Sequence, residues 1–227
     1  MEATKKSTKS TKKSASKASD ERIRSAYIET LLSTGSRPAS VYKFCVDAGI
    51  KEDDFYNHFG SFDSLERSIW KGFVEITVKR LRSDKTYPEF SSREKMLAFY
   101  YTLLEELRAS RSFILVQLDA YNKLEIVPSF LKDFKSTFEA FVESVLGEGK
   151  AKGEVANRPY LDKGYPQLFW LHLAFIVQFW KEDSSAGFEK TDAVVEKSVN
   201  LAFDLIGKGA VDSAIDFAKF MYQNKIK

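Results

Sequence analysis

Apolar residues recur at helical spacing along nearly the whole chain. Ile23, Ala26, Tyr27 and Leu31 share one side of a segment over residues 22–34, and Gly35 closes it. Val41, Phe44, Cys45 and Ala48 then fall at i, i+3, i+4 and i+7, one apolar face of a short helix. Gly49 follows, where a helix must stop and the chain must turn through a conformation that a side chain obstructs. Ile50 is placed to plug the angle between two helices, and Phe55 and Phe59, four apart, give the next helix its own face. The pattern predicts three short helices with a turn glycine between the second and third. That unit is built to lay a recognition helix in the DNA major groove.

Helical periodicity continues beyond it. Ser61 can cap a helix running through Leu65, Ile69, Trp70, Phe73 and Ile76 toward Leu81, and residues 83–92, with Pro88, break it. Residues 93–109 carry Met96, Leu97, Tyr100, Leu103, Leu104 and Leu107 on a broad apolar face. A shorter helix is expected over 113–123, stopped before Pro128, and another over 130–146 with Phe130, Phe134, Phe138, Phe141, Val142 and Val145. Residues 147–164, rich in Gly and Lys, read as a loop. Residues 166–181 are apolar nearly all round, the mark of a helix buried on more than one side. Two last helices are expected over 192–206 and 208–224. The expected fold is all-α: an N-terminal three-helix helix-turn-helix domain followed by a larger helical domain.

The turn Ala48, Gly49 and Ile50, then Tyr56, His58 and Phe59, then Ser61 and Leu65, resembles the DNA-binding domain of the TetR family of bacterial regulators. That family typically shows an Ala-Gly-Val/Ile turn, a Tyr-x-His-Phe signature ending the recognition helix and a Ser-Lys-x-x-Leu opening the fourth helix. The match covers roughly residues 22–75. It implies a DNA-binding domain over 21–75 and a helical effector-binding and dimerisation domain over 76–227. Contacts to double-stranded DNA would fall to Ser40, Lys51, Asp54, Tyr56, Asn57 and His58. The family's larger domain binds a small effector and dimerises through a four-helix bundle, matched by position to residues 166–181 and 192–206. Trp170, Phe175, Phe179 and Trp180 present more apolar surface than one small domain can easily cover, which favours a homodimer interface with Trp170, Phe175, Phe179, Leu201 and Leu205. A pocket for a small apolar ligand would draw on Tyr100, Tyr101, Phe113, Tyr121, Phe134 and Phe138, with His172 among its few polar groups. The same aromatic stripes are equally what an ordinary core requires.

Charge changes the picture. The expected recognition helix opens with Lys51, Glu52, Asp53 and Asp54, and Phe62 stands where the family commonly places a phosphate-contacting Lys. Between Glu21 and Gly60, five basic residues (Arg22, Arg24, Arg37, Lys43, Lys51) face six acidic ones. DNA affinity rests largely on basic groups displacing counterions, so this balance is a poor footprint. The acids have two readings: carboxylates in a helix's first turn stabilise it by ~0.3–1 kcal/mol each, and one can accept from a cytosine amino group. Residues 1–20 are low-complexity Lys, Ser, Thr and Ala, with six lysines (Lys5, Lys6, Lys9, Lys12, Lys13, Lys17) against Glu2 and Asp20, a net +4. Since the whole chain carries +3, residues 21–227 sum to −1. Such a tail is expected to be disordered and serves either as a basic arm along phosphates or as a solubilising segment.

Composition excludes more than it identifies. A single cysteine, Cys45, rules out an intrachain disulfide and fits a reducing cytoplasm. The longest apolar run, residues 168–180, contains His172 and Gln178 and falls short of the ~20 residues that span a bilayer, so no membrane is expected. His58 and His172 are the only histidines, and no GxxxxGK or GxGxxG loop occurs, so neither catalysis, a metal nor a cofactor is expected. The leading expectation is a cytoplasmic TetR-like regulator, a repressor released by a small apolar ligand. The alternative is a TetR-fold protein that binds a lipid or other apolar molecule and no longer binds DNA.

Overall fold

The computed structural model describes residues 20–120, 127–207 and 209. The Lys-rich tail, Tyr121 and the helix expected over 208–224 lie outside the described residues. Among the described residues all regular structure is helical: α1 (residues 20–34), α2 (Val41–Asp47), α3 (Glu52–His58), α4 (Phe62–Ser83), α5 (Ser92–Ala109), α6 (Arg111–Asp119), α7 (Lys132–Lys152), α8 (Tyr165–Glu182) and α9 (Glu189–Ile206). The chain forms two compact units. Residues up to Gly72 and Leu107–Phe134 make the first; Phe73–Glu106 and the residues from Lys135 onward make the second. No helix among the described residues is long and apolar enough to cross a membrane.

The first unit is built on aromatic edges. Tyr27 from α1, Phe44 from α2 and Phe55 from α3 meet Phe62 at the start of α4, with ring centroids 5.4–5.7 Å from Phe62. Edge-to-face pairs of this kind add ~0.5–1.5 kcal/mol beyond the area they bury. Phe62 thus closes the core of the three-helix unit and is 8% exposed, where the resemblance implied a solvent-facing lysine. Above it, the Glu66 carboxylate is buried and accepts from the Tyr27 hydroxyl and from Arg37 Nη2 at 2.7 Å, tying α1, the α1–α2 connection and α4 together. Further along α4, Trp70 packs against Phe113, Phe130 and Phe134 and donates its Nε1–H to Gln117 Oε1 at 2.5 Å.

The second unit's core runs along α5 and α7. Phe99 stacks on Phe141 at 4.4 Å and lies 5.4 Å from Phe138, while Met96, Leu103, Val142 and Val145 complete the buried set. Here the structure corrects the expected loop over 147–164, because α7 runs on through Lys152. Gly149 is buried inside the helix, and a Cβ there would meet Ser92 Oγ at 2.5 Å and Val155 Cγ2 at 2.8 Å. This glycine serves close packing rather than a turn. The chain turns instead at Gly153, whose φ of 77° ends the helix.

Candidate functional site

A tight turn sets the angle of the helix-turn-helix. Ala48 ends α2, the Gly49 N–H donates to Val46 O at 3.3 Å, and the Ile50 N–H reaches back to Cys45 O at 2.9 Å. This pair of bonds needs a left-handed residue between them, and Gly49 supplies it at φ 61°. Arg22 from α1 donates to the Gly49 carbonyl at 3.0 Å, pinning the turn from a third helix. Ser40 caps α2 by accepting from the Lys43 N–H at 3.2 Å, so its hydroxyl sits at that helix's N-terminal edge.

With Phe55 and Phe59 turned into the core, the remaining positions of α3 face outward. Lys51, Asp54, Tyr56 and Asn57 are exposed and His58 is half-buried. Helical spacing puts Asp53, Tyr56 and Asn57 on one side, and Lys51, Asp54 and His58 on the adjoining one. All six residues expected to meet DNA therefore lie on the outer surface of α3 or at the start of α2. Two exposed apolar residues of α2 join them, Tyr42 at 66% and Val46 at 61%. Sequence reading overlooked both, although their signal was there: each falls off the Val41, Phe44 and Cys45 face. The acids Glu52, Asp53 and Asp54 occupy the first turn of α3, whose N-cap Lys51 offers no side-chain acceptor.

In the second unit α8 is two-faced. Phe169, Trp170, Leu173, Ile176 and Trp180 are buried, while Leu168, Leu171 and Phe175 stand 58%, 57% and 53% exposed. Leu201 and Leu205 on α9 are similarly exposed. Of the residues expected at a dimer interface, Phe175, Leu201 and Leu205 thus lie outward and Phe179 is half-buried, whereas Trp170 belongs to the core. The helix is apolar all round, as read from sequence, but only one of its faces is covered.

The expected aromatic pocket divides. Phe113 and Phe134 serve the core around Trp70 in the first unit; Tyr100, Phe138 and His172 meet in the second. Tyr101 is half-buried and donates to Asp192 O at 3.3 Å. Tyr100 and Phe138 are fully buried and fill their space with rings. Open volume lies on the other side of His172. A cavity of about 480 Å³, almost wholly apolar, is bounded by α8 and α9, with Leu168, Phe169, His172, Leu201 and Ala202 among its walls. Arg158, from the α7–α8 connection, completes one wall and is itself buried. It donates to the Leu205 and Gly207 carbonyls at 3.0 and 2.8 Å and to the Tyr165 hydroxyl at 3.3 Å.

A helix-turn-helix with an exposed third helix, joined to a helical unit with an apolar cavity, defines a class of regulator architecture. The model of the tetracyclin repressor-like C-terminal domain family matches residues 95–221. A crystal structure from Shewanella sp. PV-4, provisionally described as a tetR family transcription regulator, is similar at a TM-score of 0.50 and 13% identity, over 82% of this chain and 95% of that one. No curated protein matches the chain. The chain belongs to the TetR family of regulators.

Proposed function

We propose that the protein is a homodimeric DNA-binding transcriptional repressor released by a small apolar ligand, with its DNA-binding domain over residues 21–75 and its effector domain over 76–227. The carrying observation is the outer surface of α3, where Lys51, Asp54, Tyr56 and Asn57 are exposed while Phe55 and Phe59 anchor the helix from behind. Ser40 and Tyr42 at the start of α2 extend the same reading surface. Two copies joined through the exposed face of α8 and α9 would offer two such helices to successive major grooves, ~34–36 Å apart. Ligand binding in the helical domain would favour a dimer whose helices no longer match that spacing.

A second reading has its own support. Phe62 faces the core rather than a phosphate, and three acids stand at the start of α3. A TetR-fold protein that binds an apolar molecule and has left DNA behind would look the same. Retention of sheared genomic DNA on the immobilised protein, followed by sequencing, separates the two. A repressor enriches a small set of loci, and Tyr56→Ala or Lys51→Ala loses that enrichment. Uniform recovery across the genome would favour the second reading.

A further inference from the structure

We propose that the cavity between α8 and α9 binds an amphipathic monoanion, a carboxylate carrying an unbranched apolar tail. The inference rests on reading the helical domain as a ligand-responsive effector domain, and it specifies both the place and the chemistry. At about 480 Å³ the space falls within the roughly 300–1,000 Å³ of small-molecule sites. Tyr100 and Phe138, by contrast, leave no room among the middle-helix aromatics for a guest.

The walls of the cavity are chemically uneven. Leu168, Phe169, Leu201 and Ala202 offer hydrocarbon. Arg158 stands beside the C-terminal end of α9, held there by the Leu205 and Gly207 carbonyls. His172 bonds to Ser198 at 2.8 Å, seven residues earlier on the same helix, which sets the two polar groups about 10 Å apart along α9. That is the reach of a medium-length alkyl chain.

The two ends differ in charge. A guanidinium is not deprotonated in proteins, and its fork of N–H donors suits a carboxylate. In a low-dielectric wall its attraction for an anion exceeds that in water. His172 carries no matching charge: burial pushes its pKa down to about 4, and its ring nitrogens are engaged by Tyr100 and Ser198. One charged end and one neutral end select a monoanion over a dianion. Leu168, Leu201 and Leu205 rim the cavity and also belong to the exposed face assigned above to dimerisation, so a second copy seated there would close over the ligand.

The test is isothermal titration calorimetry of the full chain with decanoate, and with decanol as its uncharged counterpart. Decanoate should bind saturably and decanol at least tenfold more weakly. Arg158→Gln should weaken decanoate at least tenfold. Because Arg158 also holds the end of α9, Ala202→Trp provides an independent arm, filling the cavity without touching the arginine. It should abolish binding while circular dichroism shows unchanged helicity. Equal affinity for the two probes, no saturable decanoate binding, or binding undiminished in a folded Ala202→Trp variant would each overturn the proposal. Recovery of specific DNA loci is measured without decanoate, so failure here leaves the regulator reading standing, and failure there leaves this one.

Discussion

The hydroxyl of Tyr100 lies 2.7 Å from Nδ1 of His172, and this contact fixes how the imidazole is protonated. Ser198 donates its hydroxyl to Val194 O at 2.6 Å, so toward Nε2 of His172, 2.8 Å away, it can only accept. His172 therefore carries its proton on Nε2, and Nδ1 accepts from Tyr100. A chain of donors runs from α5 through α8 into the backbone of α9. Burial favours this neutral ring and lowers its pKa to about 4.

Stability should consequently depend on pH with a defined sign. In the unfolded chain His172 regains its ordinary pKa near 6.5, so between about 6.5 and 4 the unfolded state binds the extra proton. The neutral ring's stabilisation is fully present above pH 6.5 and is lost as the pH falls through that window. The slope cannot exceed about 1.4 kcal/mol per pH unit for one proton. Urea denaturation from pH 7 to 4.5 should show a shallower decline for His172→Gln than for wild type. Tyr100→Phe should cost about 1–3 kcal/mol at pH 7 by leaving a buried nitrogen without its donor.

Glu66 makes a second local prediction. Its buried carboxylate is held by Tyr27 and Arg37, and burial together with this neighbour raises the Tyr27 pKa, keeping the phenol a donor. Arg37→Ala should destabilise the protein by about 2 kcal/mol, because it strips a charged partner from a buried carboxylate. Adding Glu66→Gln to Arg37→Ala should recover part of that loss. Chemical denaturation of both variants checks the pair, and equal stability of the single and double variants would contradict it.

Two glycines two residues apart on α7 should respond oppositely to alanine. Gly147 is exposed with nothing within 4 Å of an added Cβ, so Gly147→Ala should stabilise by about 0.5–1 kcal/mol through helix propensity. Gly149→Ala collides with Ser92 and Val155 and should cost about 1–3 kcal/mol. Thermal denaturation of the two variants should move the midpoint in opposite directions.

These two positions also show where sequence reading stops. Periodicity placed α5, α8 and α9 to within three residues at each end, because a long apolar stripe is a property of the sequence itself. Gly147 and Gly149 look alike in sequence; only the approach of Ser92 and Val155 tells a packing glycine from a loop glycine. Phe62 is a similar case, since its membership of the Tyr27, Phe44 and Phe55 cluster depends on how α4 meets the first three helices. Residue type marked Phe113, Phe134, Tyr100 and Phe138 as one aromatic group, yet they serve two separate cores. The cavity wall formed by Arg158 had no sequence signal, because a lone arginine after a Gly/Lys-rich stretch gives no sign that it folds back onto the end of α9.

Dimerisation is open to a direct check. The full chain should scatter light as twice its 25.9 kDa mass at micromolar concentration. Phe175→Asp or Leu201→Asp should shift it toward the single-chain mass while helicity is retained, since both side chains are more than half exposed and leave the core intact. Trp170→Asp should instead unfold the second unit, because Trp170 is buried. A wild-type chain that stays monomeric would remove the basis for paired recognition helices.

The central claim, that the outer face of α3 reads DNA, is tested most directly by selecting duplexes from a random library with the purified protein at moderate salt. The account predicts a palindromic motif whose half-sites are centred one helical turn, ~10–10.5 base pairs, or a multiple of it apart. Its recovery should fail for Tyr56→Ala and be unaffected by Phe175→Tyr. A library that returns no motif, or one that Tyr56→Ala recovers unchanged, would contradict it.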